Sequence, residues 1–133
     1  MQVIHIQYND MFQALSDETR LRIVHLLATT DEEACLCELV DSLSEPAYKL
    51  SRHLKILRQA GLLSSYKDGR WVYHELARTE SYLEKLFETV RDLPDPDQVY
   101  AADRARFEQR MCLREDGRCR VGILSDDLKT GAR

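Results

Sequence analysis

The stretch EEACLCEL (Glu32–Leu39) sets two of the chain's four cysteines, Cys35 and Cys37, one residue apart. Thiolates hold soft, thiophilic ions, whereas imidazole and carboxylate suit harder ones. A cysteine is also a common small core residue, so the pair needs further support to count as a site. The other two, Cys112 and Cys119, lie far along the chain in RMCLREDGRCRVG. The four histidines, His5, His25, His53 and His74, are scattered and have no partners at ligand spacing, which argues against a zinc cluster. There is no Cys-x-x-Cys, no phosphate-binding glycine loop and no candidate acid–base pair, so the chain does not read as an enzyme or as the holder of an organic cofactor.

A second chemistry lies in the charge distribution. The formal net charge is −4, but it is spread unevenly. Residues 1–45 carry two basic and nine acidic side chains, residues 46–78 seven basic and two acidic, and residues 79–133 ten basic and twelve acidic. The middle third is a basic block in an acidic chain, and local field guides a phosphate backbone to its site. On a helix through this block, with Tyr48 at 0°, Arg52 falls at about 40°, Lys49 at about 100° and His53 at about 140°. Ala47, Leu50, Leu54 and Leu57 take the opposite face. An aromatic, basic, hydrogen-bonding face backed by an apolar one is what a helix in a major groove needs. Ser51 is placed to contact phosphate or solvent, and Lys67 and Arg70 flank a turn that could touch the backbone or minor groove.

The elements that must position these groups follow from periodicity. Residues 7–15 read as an amphipathic helix, with Ser16 as N-cap of a second helix running to about Ala28. TTDEEA opens a third, with Asp31 as its cap and Leu36, Leu39, Val40 and Leu43 as its stripe. Ser44 caps the fourth, with Pro46 in its first turn, and Gly61 ends it. LLSSYKDGRWVYHEL turns about Asp68-Gly69 as a β-hairpin. Leu83, Leu86, Phe87 and Val90 mark a fifth helix, LPDPD a break, and Val99–Met111 a further helix before a tail with a turn at Asp116-Gly117 and a loose end. Helices followed by a hairpin make a mainly α chain with a winged helix-turn-helix. The expected division is a DNA-binding and dimerisation domain over 1–93 and an extension over 94–133. No apolar run reaches the ~20 residues of a membrane span. The first ten residues lack an export signal, so a cytoplasmic chain with reduced thiols is expected.

ALSDETRLRIVHLL, and CLCELV running into LSRHLKILRQAGLL and the wing KDGRWVYHEL, resemble the ArsR/SmtB metalloregulatory repressors over residues 8–93. The resemblance implies a homodimer joined through the first and fifth helices that binds double-stranded operator DNA and leaves it when a toxic ion binds. The zinc-type site of the family uses His, Asp and Glu on the fifth helix, and ESYLEKLFETVRDL has no histidine. Arsenic-responsive members carry Cys-x-Cys where Cys35 and Cys37 stand, which implies As(III) or Sb(III) as inducer. Some complete a three-thiolate site three residues later, where this chain has Val40. The third sulfur is then expected from Cys119 in preference to Cys112, with a role for both left open, and from either the same or the other subunit. Two residues on a helix stand about 200° apart, so Cys35 and Cys37 are expected to share an ion only by opening the first turn of the third helix. The alternatives are a thiol redox sensor, with a disulfide such as Cys112–Cys119, and a soft-metal sensor for cadmium, lead or bismuth using the same cysteines.

Overall fold

A computed structural model describes residues 8–125 and Leu128. His5 and the end of the tail, expected to be loose, lie outside the described residues. In chain order the elements are α1 (Tyr8–Leu15), α2 (Glu18–Thr30), β1 (Ala34–Cys35), α3 (Leu36–Leu43), α4 (Ala47–Gln59), β2 (Leu63–Asp68), β3 (Trp71–Leu76), α5 (Ser81–Arg91) and α6 (Val99–Met111). The architecture is a mainly α winged helix-turn-helix, as expected, with α3 and α4 as the paired helices and β2–β3 as the wing.

Local chemistry moves several boundaries. The N-cap of α2 is Asp17, whose carboxylate accepts the Arg20 N–H at 3.0 Å, while Ser16 Oγ donates to Gln13 O and closes α1. Asp31 does not cap the third helix. It adopts a left-handed conformation (φ 54°) and ends α2, its N–H donating to Leu27 O. The chain then enters β1, a two-residue strand absent from the sequence reading, which pairs Ala34 with His74 and Cys35 with Tyr73 of β3. Hence α3 starts only at Leu36. Ser44 likewise ends α3 (φ 56°) instead of capping α4, and Pro46 occupies that N-cap. The sheet order is β1-β3-β2, so the wing's inner strand also carries the segment that holds Cys35. The wing loop is Gly69-Arg70, with Gly69 at φ +64°, a conformation glycine takes without a Cβ penalty.

The core is built from Ile23, Leu26 and Leu27 of α2, Leu39 and Leu43 of α3, Leu50, Leu54 and Leu57 of α4, Phe87 of α5 and Phe107 of α6. Each of these is essentially withdrawn from water, which at about 1.5–3 kcal/mol per large apolar side chain is the main stabilising term. The segment after residue 93 is packed onto this core. The Asp95 carboxylate accepts the N–H groups of Tyr100 and Ala101 at the start of α6. Buried Asp103 takes two hydrogen bonds from Arg22, at 2.8 and 3.0 Å. On α1, Met11 and Ala14 face inward, whereas Tyr8 and Phe12 are 65% and 61% exposed, with Tyr8 edge-on to Tyr82 of α5. Among the described residues no helix is long and apolar enough to cross a membrane.

Candidate metal centre and nucleic-acid interface

Because Cys35 precedes α3, the 200° argument does not apply to it. Cys35 lies in extended backbone at the N-cap and Cys37 in the first turn, and both side chains are buried. Cys119 joins them from the tail, and the three sulfurs lie within 4.8 Å of one another. Cys37 Sγ stands 3.5 Å from Cys119 Sγ. Among the described residues this is the one group of three or more His, Cys, Asp or Glu side chains gathered at ligand distance. No opening of α3 is needed to bring Cys35 and Cys37 together, which overturns the expectation of an unwound turn. Cys112 is not part of the group: it is exposed at the end of α6, its thiol directed at Glu108 O. The suggested Cys112–Cys119 disulfide is therefore not formed, and both cysteines are free.

The position of Cys119 comes from a tight turn and a set of arginines. Asp116 and Gly117 both have positive φ, and Glu115 and Arg118 pair across the turn as expected for Asp-Gly. The Cys119 N–H donates to the buried Tyr73 hydroxyl at 2.8 Å. Arg106 donates to Ser42 O, Arg110 to Asp41, and Arg114 to Glu38 and to Glu33 O. Rising numbers on one side meet falling numbers on the other, so α6 and its continuation run antiparallel to α3. Glu38 is wholly buried; its Oε1 accepts both the Cys35 N–H (2.9 Å) and Arg114, and its Oε2 accepts Arg114 at 2.8 Å. Arg110 also closes on the Val121 and Gly122 carbonyls. Arg118 stacks 3.9 Å from the Tyr73 ring centroid and reaches Glu33 and Asp68, the latter at the tip of the wing.

The three sulfurs are electrostatically unequal. Cys37 is lowered to about 7, chiefly because the Cys35 thiol hydrogen-bonds its thiolate; burial opposes this, and the Cys119 thiol and the Arg110 charge assist. Its place in the first turn of a helix favours the anion as well. Cys35 is driven up by donating to Cys37 and by burial, and Cys119 is raised to about 11 by burial and by the Glu38 charge. Cys37 is thus the first of the three to ionise, and its thiolate, held by two thiols, becomes the main form as pH rises above about 7.

On α4, Tyr48, Ser51 and Arg52 are exposed, and Lys49 is half-buried in an ion pair with Glu45 (2.6 Å). Lys67 and Arg70 are exposed on the wing, with Arg70 over the Trp71 ring at 4.6 Å. His53 departs from its expected role. Its Nδ1 lies 3.0 Å from Arg20 and its Nε2 3.8 Å from Asp17, so the ring is turned toward the start of α2 and away from the reading face. At about 140° it stands at the edge of the core arc, where a polar partner on α2 captures it. His74, expected to lack partners, is buried on β3 with its Nδ1 unpartnered and its protonated form suppressed to about 4 by burial and by Arg58.

Sequence reasoning missed Glu38, Tyr73, Arg110, Arg114 and Arg118 as the groups that assemble the thiols. One signal was available: arginine recurs every fourth residue from 106 to 118, which is helix-face spacing.

Residues 17–65 match the family described as "Bacterial regulatory protein, arsR family", a segment that contains Cys35 and Cys37 but neither Cys112 nor Cys119. The chain is 46% identical over 67 residues to the arsenical resistance operon repressor of Escherichia coli strain K12, covering 50% of this chain and 56% of that protein. It thus spans about half the length of the first curated relatives it matches. A cadmium resistance transcriptional regulatory protein CadC homolog of Staphylococcus aureus is 31% identical, over 62% of this chain and 69% of the relative. Among solved structures, the transcriptional regulator HlyU of Vibrio vulnificus CMCP6 superposes with a TM-score of 0.57 at 26% identity, over 65% of this chain and 86% of that one. With the winged helix-turn-helix in place and more than two thirds of one relative's length matched, this chain belongs to the ArsR family of bacterial regulatory proteins.

Proposed function

We propose that this chain is a transcriptional repressor that binds operator DNA as a homodimer and is released by trivalent arsenic or antimony held by Cys35, Cys37 and Cys119. The observation that carries the reading is the convergence of three buried sulfurs, two from the start of α3 and one from the tail, in a chain whose relatives include arsenical resistance repressors. A pyramidal three-thiolate set satisfies a trivalent thiophilic ion, and Cys119 supplies what Val40 cannot. Tyr48, Lys49, Ser51 and Arg52 would read the groove and its phosphates, Lys67 and Arg70 would touch the backbone, and the exposed Tyr8 and Phe12 with α5 would form the dimer contact.

Charge alone does not account for release. The three thiols together carry at most one negative charge at neutral pH, and three thiolates around a trivalent cation carry none. The change is small and favours DNA if anything. Displacement must do the work. Sulfurs bonded to one ion at ~2.3 Å stand roughly 3.4–4 Å apart, so a gap within the 4.8 Å of the cluster closes by at most about 1.4 Å. Cys35 is paired to the wing strand β3, and α3 packs against α4, so the contraction acts on both DNA-contacting elements at once. A hundredfold loss of operator affinity needs only roughly 3 kcal/mol of such coupling.

The test is operator binding by the full chain, titrated with arsenite, antimonite, cadmium, zinc and peroxide. Release by arsenite or antimonite at the lowest concentration is expected; release by zinc alone overturns the thiol site. Cadmium as the most potent ligand would move the chain toward its cadmium-responsive relatives with the same three cysteines. A redox reading is favoured by one observation, the 3.5 Å separation of the Cys37 and Cys119 sulfurs. In it, peroxide oxidises the Cys37 thiolate to a sulfenic acid with loss of hydroxide, and the Cys119 thiol condenses with it, releasing water and forming the disulfide.

A further inference from the structure

Between α4 and the wing lies an open cleft whose walls hold Ser51 and Arg58 of α4, Ser65, Arg70 and His74 of the hairpin, and, on the far side, Cys35 and Cys37. Three features set it apart. No Asp or Glu lines it, in a chain with 23 acidic residues, and Cys37 is the one wall group with anionic character. Arg22, Arg78, Arg91, Arg104, Arg106, Arg110, Arg114 and Arg118 each pair with a carboxylate, whereas Arg58 and Arg70, like Arg20, Arg52 and Arg120, have no ion-pair partner among the described residues. The third is a pair of hydroxyls, Ser51 on α4 and Ser65 on the hairpin. Two cations without carboxylate partners and two hydroxyls around one cleft suit an anion.

Resting on the operator-binding reading above, we infer that this cleft receives a phosphodiester of the operator backbone, with Arg58 as a phosphate-binding residue and the thiol site as the wall behind it. The cleft's place selects the occupant. A helix in the major groove and a wing on the neighbouring backbone straddle one phosphate strand, and the cleft is the space between those two elements. Ser51 and Arg58 stand seven residues apart, on the flank of α4 toward the wing. A phosphate there takes charge-assisted hydrogen bonds from the guanidinium groups, which match its oxygens in bidentate geometry. Because Cys35 and Cys37 line the same cleft, contraction of the thiols around an ion reshapes the phosphate seat directly. Ion and phosphate then compete through one shared wall.

The test is the salt dependence of operator binding by the full chain, parent against Arg58→Gln. Each neutralised phosphate contributes a slope of about 0.9 in log affinity against log salt. The variant is expected to lose one such increment, so that going from 50 to 200 mM salt costs it about 3.5-fold less affinity than the parent. The deficit should be the same for operator and for unrelated duplex DNA, because a phosphate contact carries no sequence information. Arg58→Lys, which keeps the charge, should restore the slope. In the absence of DNA the variant should bind arsenite as the parent does, while the factor by which saturating arsenite weakens operator binding becomes smaller. An unchanged slope in Arg58→Gln overturns the phosphate seat, and an unchanged arsenite factor overturns the shared wall. A parent that binds no operator refutes the function itself, a result separable from either.

Discussion

Cys119→Ser is the most informative single change, because it removes the one ligand that comes from the tail. Serine keeps the size class and can still direct its hydroxyl at Val121 O, where the Cys119 sulfur now sits at 3.5 Å. The tail itself is anchored elsewhere, by Arg110, Arg114 and Arg118, so the turn should stay in place. What is lost is a thiolate to a soft ion, which a hydroxyl does not replace. Structural zinc sites yield about 10–16 kcal/mol over four ligands, or roughly 3–4 kcal/mol per thiolate. On that scale arsenite affinity should fall by roughly two to three powers of ten. Calorimetric titration of the DNA-free protein gives the affinity, and a fluorescence-anisotropy assay with operator gives the arsenite concentration for half release. Both should shift by the same factor, while operator affinity without arsenite stays near the parent's. Cys112→Ser, with its thiol on the far side of α6's end, should change neither. Arsenite affinity within threefold of the parent in Cys119→Ser, or an equal loss in Cys112→Ser, refutes the three-sulfur site.

Three other outcomes follow. The pH dependence separates inducers by sign: cadmium displaces the thiol protons of Cys35 and Cys119, so its apparent affinity should rise by about a hundredfold per unit above the Cys37 value of about 7. Neutral arsenous acid instead consumes a proton when one of the three sulfurs is already a thiolate, so its affinity should fall about tenfold per unit between pH 7 and 9, as calorimetry across that range would register. Arg114→Leu leaves the buried Glu38 carboxylate without its cation and should cost about 3–5 kcal/mol in chemical denaturation, with the Arg114→Leu/Glu38→Leu double variant recovering much of that loss. Arg118→Gln removes the Glu33 pair, the Tyr73 stack and, at the wing tip, the pair to the half-exposed Asp68, solvent-screened contacts whose loss should change global stability little. It should nevertheless speed amide hydrogen exchange at residues 66–70, since that contact ties the wing tip to the tail.

The sequence revealed the helix-turn-helix and the wing better than the thiol cluster. The face of α4, the wing and the core stripes follow from local periodicity, and they appear where the pattern puts them. The thiol pair was visible but misread, because Ala34 and Cys35 are held extended by β3, some forty residues away, and nothing local announces that pairing. The choice of Cys119 over Cys112 hinged on a tertiary fact, the docking of α6 on α3, for which the Asp-Gly turn gave only a direction. His53 was assigned to DNA by its angle alone; Asp17 and Arg20 on another helix decided otherwise. Glu38 reads in sequence as an ordinary acid in a helix's first turn, and only Arg114, 76 residues on, explains its complete burial.

The fourfold spacing of Arg106, Arg110, Arg114 and Arg118 makes the third ligand a matter of phase. Deleting or adding one residue within α6 rotates everything after it by about 100° and shifts it by 1.5 Å. The composition would hardly change and the helix would still form, yet no arginine beyond the change would meet its carboxylate, and Cys119 would leave the cluster. Such a chain would keep its DNA-contacting surface and carry only two sulfurs at its sensor. Under the proposed function, the length of α6, counted in single residues, is therefore itself a determinant of which ions the thiol cluster holds.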